Sequence, residues 1–257
     1  MFIVSAARLE FQLPQPRQES PVKKSQKVLV GAGASVLALA AVAAIAGPMV
    51  YRDFIAPPAA EAPTLSGGEE ILGKESGAPL DATALAGEWQ VADGSEAGYR
   101  VEEVLNGTDV TVTGRTDDVT GTFTISADGL TLEAATLTVD VASIATDSPQ
   151  RDSYFRDQAL RASDHPEATF TLTEPVTLDS APASDGVVRT TATGELTIAG
   201  ETRPATAEVQ VRSDGETAEI AGSIPITFAD YGVEAPNLGF VSVEPEGLVE
   251  FQLQADR

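Results

Sequence analysis

The sequence lacks cysteine altogether, and its 257 residues include a single histidine, His165. Without cysteine, the chain has no disulfide framework, no thiol chemistry and no cysteine-based zinc site. One histidine alone does not make a conventional metal site, and the G-x-S-x-G motif of many serine hydrolases is absent. These absences argue against an enzyme, and we expect no metal and no cofactor.

Basic residues are also scarce, since 16 lysines and arginines stand against 39 aspartates and glutamates. Residues 1–55 hold six basic and three acidic residues, which leaves ten basic and 36 acidic residues for the remainder of the chain. A surface this negative repels the phosphate backbone of nucleic acids. We therefore expect no nucleic-acid partner, and we attribute the acidity to solubility.

A long apolar run lies near the N-terminus. Residues 28–51 are 24 consecutive uncharged residues, and about 20 suffice for a helix that crosses a bilayer. Lys23, Lys24 and Lys27 precede the run, which predicts a cytoplasmic N-terminus and an exported remainder. The alternative is a cleaved signal sequence, because residues 44–46 have the small-x-small form that signal peptidase accepts. Either interpretation predicts export, as a single-pass membrane protein or as a secreted one.

Composition divides the rest of the chain into three parts. Residues 1–27 are polar and contain proline, which is typical of a disordered tail, here on the cytoplasmic side. Residues 52–83 are rich in proline, alanine, glycine and glutamate, and predict a disordered linker. Residues 84–257 alternate between apolar and polar positions and form the predicted folded domain.

The folded domain has the period of β-strands. In residues 119–126, Phe123 and Ile125 fall on one face and threonines on the other. Asn106-Gly107 joins two such runs and is a strong hairpin signal. At least eight strands with one buried face predict an antiparallel sheet that closes into a barrel or packs on a second sheet. An eight-stranded barrel can hold a small ligand or be filled by side chains, and alternation does not distinguish the two.

Residues 150–161 interrupt the alternation with helical spacing. Asp147 or Ser148 is the expected N-cap, and Pro149 suits the first helical position. His165-Pro166 ends the helix, because proline restrains the preceding residue to an extended conformation. We expect His165 to lie at a helix-ending turn or on the surface and to have no catalytic role.

Arg151 and Asp152 in this helix have two interpretations. Arg151 either lies at the mouth of a cavity, where it contacts a polar headgroup, or forms a salt bridge that joins the helix to the barrel. The sequence favours the salt bridge but leaves both open.

Five motifs occur in an order that resembles the YceI-like family of exported lipid-binding domains, over residues 84 to about 255. The first strand carries an early tryptophan, a serine and an aromatic residue, and a G-x-F strand follows. Next come S-I-x-T, R-D and P-x-A-x-F around the helix, then GELTIAGET (194–202) and DYGV (230–233). The matching residues of the first three motifs are Trp89, Ser95, Tyr99, Gly121, Phe123, Ser143, Ile144, Thr146, Arg151, Asp152, Pro166, Ala168 and Phe170. His165 departs from the tyrosine or phenylalanine that the family commonly has before this proline.

The resemblance implies a mainly β fold: an elongated, antiparallel, eight-stranded, lipocalin-like barrel with one short helical crossover, preceded here by the transmembrane helix. It also implies a non-enzymatic protein, held at the bacterial cell membrane outside the cytoplasm, that binds a polyisoprenoid or similar amphiphile. The alternative is an extracytoplasmic structural domain with a filled barrel, and a homodimer is compatible with either.

Guided by the resemblance, we assign the ligand-binding residues from the apolar strand faces and the helix. Phe155 and Leu160 are expected to form a lid, and Arg151 is the candidate mouth residue. The expected lining comprises Tyr99, Val101, Phe123, Ile125, Leu137, Val139, Phe170, Leu172, Ile226, Phe228 and Phe251.

Overall fold

A computed structural model describes residues 59–66, 77–105, 107–184, 186–237, 239 and 241–257. The predicted tail (1–27) and the predicted membrane span (28–51) lie outside these ranges, as does part of the predicted linker. Among the described residues, no helix has the length and hydropathy needed to cross a membrane. Export and anchoring therefore stay predictions.

The described residues form ten β-strands and one short α-helix. The helix α1 is Pro149–Tyr154, and a π-helical turn, Phe155–Ala159, continues it. Single 3-10 turns lie at Ala82–Ala84, Val141–Ser143 and Phe228–Tyr231. The strands are β1 Gly87–Leu105, β2 Thr108–Thr116, β3 Val119–Ile125, β4 Thr131–Asp140, β5 Glu167–Leu172, β6 Val176–Thr177, β7 Val188–Ile198, β8 Glu201–Ser213, β9 Thr217–Thr227 and β10 Val241–Asp256.

The strands close into an antiparallel barrel. The hydrogen-bonded order is β10-β9-β8-β7-β5-β4-β3-β1, and β10 pairs with β1 to complete the ring of eight. The strand β2 pairs with the second half of β1, and β6 pairs with the start of β4. The predicted eight-stranded barrel with one short helical crossover is confirmed, and closure removes the sheet edges that eight strands would otherwise expose.

Local sequence explains the strands and the hairpin. In β3, Val119 and Phe123 are buried while Thr120 and Thr122 are exposed, as the alternation predicts. The predicted hairpin joins β1 to β2, where Leu105 pairs with Thr108. Gly107 has φ +79° there, a left-handed conformation that glycine adopts without steric cost.

The helix begins where the sequence predicts, and Ser148 rather than Asp147 caps it. The Ser148 hydroxyl accepts a hydrogen bond from the Arg151 amide at 3.4 Å, and Pro149 occupies the first turn. The segment crosses from β4 to β5 at one end of the barrel, which we call the helix end. At the opposite end lie residues 126–130, 178–184 and 214–216, which we call the loop end.

Residues 59–66, within the predicted linker, lie against the outer face of the barrel, and we call them the docked segment. The Ser66 amide and hydroxyl donate to Oε1 of Glu219 at 2.7 and 2.5 Å, and Arg212 donates to the Ser66 carbonyl at 3.0 Å. The Ala60 carbonyl accepts a hydrogen bond of 2.7 Å from Arg100. Leu65 is only 5% exposed. The docked segment thus spans the outer face from β1 to β8 and β9.

The attachment of the docked segment depends on the charge of Glu219. Burial raises the pKa of this carboxyl, but the hydrogen bonds from Ser66 and the charge of Arg212 outweigh burial and hold the pKa below its usual value. A depressed pKa stabilises the folded form above the usual value of 4.5 and loses that contribution as the pH falls through the lower, folded value.

We therefore predict that acidification below the ordinary glutamate range releases the docked segment. Hydrogen exchange should then show a lower protection factor for the Ser66 amide, meaning that its exchange rate comes closer to the intrinsic rate of an unprotected amide at the same pH. Glu219→Gln should weaken the attachment at neutral pH by about 1.5 kcal/mol, the value of a hydrogen bond to a charged group. Glu216→Gln, an exposed neighbour, is the matched control. Unchanged protection of Ser66 in Glu219→Gln would contradict this account.

Candidate functional site

A cavity of about 240 Å³ lies inside the barrel. All eight strands of the ring contribute side chains to its wall, together with residues of the loop end. Six of the residues expected from the sequence line it: Phe123, Ile125, Leu137, Val139, Phe170 and Phe251.

The wall of this cavity is apolar. None of the described residues that line it is charged, and Thr169, Thr190 and Ser213 provide its side-chain hydroxyls. An ion buried among such side chains would lose its hydration without a partner, at a large cost in free energy. The cavity is therefore suited to an uncharged apolar chain.

The barrel interior is incompletely filled. Leu253 and Ile224 on the wall are 0% and 2% exposed, so part of the interior is tightly packed. In contrast, Leu137, Val209 and Val211 also face the cavity but are only half-buried. Inward side chains of a close-packed core would have no accessible surface of this kind. The observation favours an open interior over a filled one.

Two glycines position the large rings of the cavity. A Cβ atom at Gly194 would lie 2.5 Å from Cζ of Phe170, and one at Gly222 would lie 2.6 Å from Cζ of Phe251. Both distances are shorter than any normal contact, so the rings occupy the space that a side chain would need. The phenylalanines thus pack flat against the wall.

The other expected lining residues are not among those that line the cavity. Tyr99 stacks on Phe155, with ring centroids 4.5 Å apart and an interplanar angle of 24°. Leu160 and Leu172 are buried in the core. Two further residues, Val101 and Ile226, lie beside a separate surface groove, and Phe228 packs against Gly247.

Arg151 joins the helix to the barrel. Its guanidinium lies 3.3 Å from Oε1 of Glu103 on β1 and also pairs with Asp147. Asp152 accepts hydrogen bonds from the amide and hydroxyl of Thr146, at 2.9 and 2.7 Å, which hold the residues before the helix in place. Arg151 is therefore part of the attachment of the helix and is not a lining residue of the cavity.

Tyr99 and His165 are placed for packing. Burial raises the pKa of the Tyr99 hydroxyl well above its ordinary value, so this phenol stays protonated. The ring of His165 packs on Gly200, where an added Cβ would lie 2.5 Å from Cε1. Within the described ranges, histidine, aspartate and glutamate side chains form no cluster that would hold a metal ion.

Several lining residues were missed by the sequence reasoning. Val209 and Val211 belong to an alternating strand, and the same alternation would have found them. Leu130 and Leu178 continue the alternation of Leu132 and Val176 into the connections at the loop end, whereas Pro182 comes from a connection where no periodicity marks an inward side chain. The other large side chains of the wall that were not among the expected residues are Leu85, Trp89, Val119, Leu132, Val176, Val188, Leu196, Ile220, Ile224, Val249 and Leu253.

Comparison with known proteins identifies the fold independently. A family model described as YceI-like domain matches residues 89–255. A polyisoprenoid binding domain from Saccharophagus degradans is 20% identical, with a TM-score of 0.51 over 65% of this chain and 97% of that one. BcnA from Burkholderia cenocepacia is 23% identical, with a TM-score of 0.47 over 61% and 95%. A Campylobacter jejuni YceI protein is 20% identical, with a TM-score of 0.42 over 56% and 84%. Comparison with curated proteins finds no significant match.

The position of Phe155 predicts that it stabilises the helix end and leaves ligand affinity unchanged. Phe155→Ala removes the stacking partner of Tyr99 and should lower the free energy of unfolding by about 2 kcal/mol, the scale for a half-buried ring. Chemical denaturation measures this loss, and Gln158→Ala, exposed on the same segment, is the control. A large fall in the affinity for an apolar ligand without loss of stability would instead make Phe155 a lid.

Proposed function

Because a YceI-like domain covers residues 89–255, this chain belongs to the YceI-like domain family, and we propose that it binds a polyisoprenoid or similar long-chain amphiphile inside its barrel. The Saccharophagus degradans relative is described as a polyisoprenoid binding domain. The observation that carries the proposal is the cavity itself, which is uncharged, apolar and incompletely filled.

The energetics of such binding are adequate. Three isoprene units contain 15 carbon atoms, and at about 0.8 kcal/mol for each buried carbon group they contribute about 12 kcal/mol. Association costs at least about 4 kcal/mol of lost translational and rotational freedom. The difference is at most about 8 kcal/mol, which corresponds to a dissociation constant of about 1 μM at the tightest.

The proposed activity is binding without catalysis. The polar side-chain groups of the cavity wall are the hydroxyls of Thr169, Thr190 and Ser213 and the indole N–H of Trp89, which donates to the Leu85 carbonyl. Neither His165 nor any carboxylate is among the lining residues to activate one of them, as a serine nucleophile would need. A wall of this composition supports holding a chain and offers no acid or base for turnover.

We further propose that the barrel works outside the cytoplasm of a bacterial cell. The support is the sequence of residues 23–51, with its lysines followed by 24 uncharged residues. A retained helix would tether the barrel to the membrane, and cleavage would release it. The mass of the mature protein distinguishes the two cases.

A cavity-filling variant tests the proposed binding. Val209 lines the cavity and is half-buried, so Val209→Phe should place a ring in the free volume. We expect organic extraction and mass spectrometry to find an isoprenoid or similar lipid with the purified full-length protein, and at least about tenfold less with Val209→Phe, since an occupied cavity excludes the chain.

The matched control is Thr206→Phe, which adds the same ring at an exposed position of the same strand. It should retain the lipid. If no lipid accompanies the unmodified protein and an added isoprenoid does not raise its melting temperature, the proposed function fails and the filled-barrel alternative gains support.

A further inference from the structure

The two ends of the barrel differ in their access to the cavity. At the loop end, Leu130, Leu178 and Pro182 line the cavity and are only half-buried. Leu130 comes two residues after the exposed Asp128, and Leu178 directly precedes the exposed Asp179, so these connections run from the cavity wall to the protein surface. A long chain that entered here would pass between these residues.

The helix end is packed with buried side chains, although its wall residues Val139 and Ala168 are half-buried. Ile144, Leu160 and Ala162 are each less than 10% exposed, and none of them lines the cavity. The stacked rings of Tyr99 and Phe155 lie at the same end, under the helix that Arg151 attaches to Glu103. Passage through this end would require the helix to detach.

Acidic side chains surround the open end. Asp128 precedes Gly129 and Leu130, Asp179 follows Leu178, and Asp214 follows Ser213, so each is adjacent to a residue of the cavity wall. Asp81 and Glu216 lie in the neighbouring turns. We call these five exposed residues the anionic rim.

Hydrogen bonds keep two rim carboxylates ionised. The Ser126 hydroxyl and the Leu130 amide donate to Asp128 at 2.5 and 3.0 Å and lower its pKa. The amides of Thr217 and Glu216 donate to Asp214 at 2.7 and 2.8 Å with the same effect.

Among the described residues, the basic residues near this end are Arg189, Arg212 and Arg257. The guanidinium of Arg257 donates to the Ala86 carbonyl and lies 5.4 Å from the centre of the Trp89 ring. Arg189 is exposed on β7. Arg212 is already paired with Glu219, outside the rim. None of the three lines the cavity, and they do not balance the five carboxylates of the rim.

We propose that the ligand enters tail first through the loop end and leaves its headgroup at the anionic rim, which selects uncharged or cationic headgroups over phosphate. This inference rests on the proposed function and adds an orientation and a headgroup class to it. The cavity wall offers no cation to pair with a phosphate, and a phosphate monoester carries about −1.5 to −2 charges at neutral pH. The rim repels that charge through water, so the repulsion weakens with salt.

Three probes with one tail measure the selectivity: farnesylamine, farnesol and farnesyl phosphate. Trp89 is the chain's single tryptophan and lines the cavity, so its fluorescence reports occupancy. The titrations use the full-length protein in a constant amount of an uncharged detergent. The partition of each probe into micelles is measured without protein and subtracted, so that affinities can be compared between probes and between variants.

We expect the amine and the alcohol to bind at least about tenfold more tightly than the phosphate at low ionic strength, with the difference falling to about twofold in high salt. The triple variant Asp128→Asn, Asp179→Asn, Asp214→Asn should bind the phosphate nearly as well as the alcohol. Asparagine keeps the side-chain oxygen that accepts the turn hydrogen bonds, so only charge is removed.

The control variant, Asp164→Asn, Glu167→Gln, Glu234→Gln, also removes three negative charges, but from exposed positions at the helix end. It should retain the full selectivity of the unmodified protein. Equal affinity for all three probes, or relaxed selectivity in the helix-end variant alone, would overturn the inference while leaving the proposed function intact. If none of the farnesyl probes changes Trp89 fluorescence or raises the melting temperature, the proposed function fails and the inference fails with it.

Discussion

The pairing of β10 with β1 is the interaction on which the rest of this structure depends. It runs from Gln90 opposite Asp256 to Leu105 opposite Val241 and turns an open sheet into a ring. On the outer face of this seam, Glu250 is 1% exposed and is paired with Arg100 at 2.7 Å and with Arg115. The pairs connect β10 to both β1 and β2. A buried carboxylate deprived of these partners would be strongly destabilising, so the seam has one favourable register.

Closure creates the interior, and a few small residues determine how much of it stays free. Where Phe170 and Phe251 pack on Gly194 and Gly222, the rings lie against the wall instead of meeting in the centre. The remaining volume is bounded by aliphatic side chains and a few hydroxyls. A binding site of this kind obtains its affinity from the transfer of apolar groups out of water, which is non-directional. Discrimination among ligands must then come from the shape of the cavity and from its open end.

The two ends of the barrel have different physical characters. At the helix end, the Arg151–Glu103 ion pair and the Tyr99–Phe155 stack join the crossover to β1. At the loop end, wall residues reach the surface among exposed carboxylates. Part of the net charge of −23 therefore lies at the end where a ligand would enter, so this charge would act on the ligand in addition to keeping the protein soluble. The docked segment adds a third feature, a stretch of chain before the barrel that is attached to its outer wall through Ser66 and Glu219.

Local sequence was enough to predict most of the secondary structure, whereas the closed barrel was implied by the resemblance of five motifs to the YceI-like family. Period-2 alternation predicted the strands because successive side chains of a strand point to opposite faces, and Ser148-Pro149 predicted the start of the helix because capping involves near neighbours. The cavity could not be derived in this way. Phe155, expected from the resemblance to be a lid, stacks on Tyr99, and Pro182 lines the cavity from a segment with no periodicity. Ser66 meets Glu219 across 153 residues. Such contacts depend on which strands become neighbours when the ring closes, and only the tertiary structure decides that.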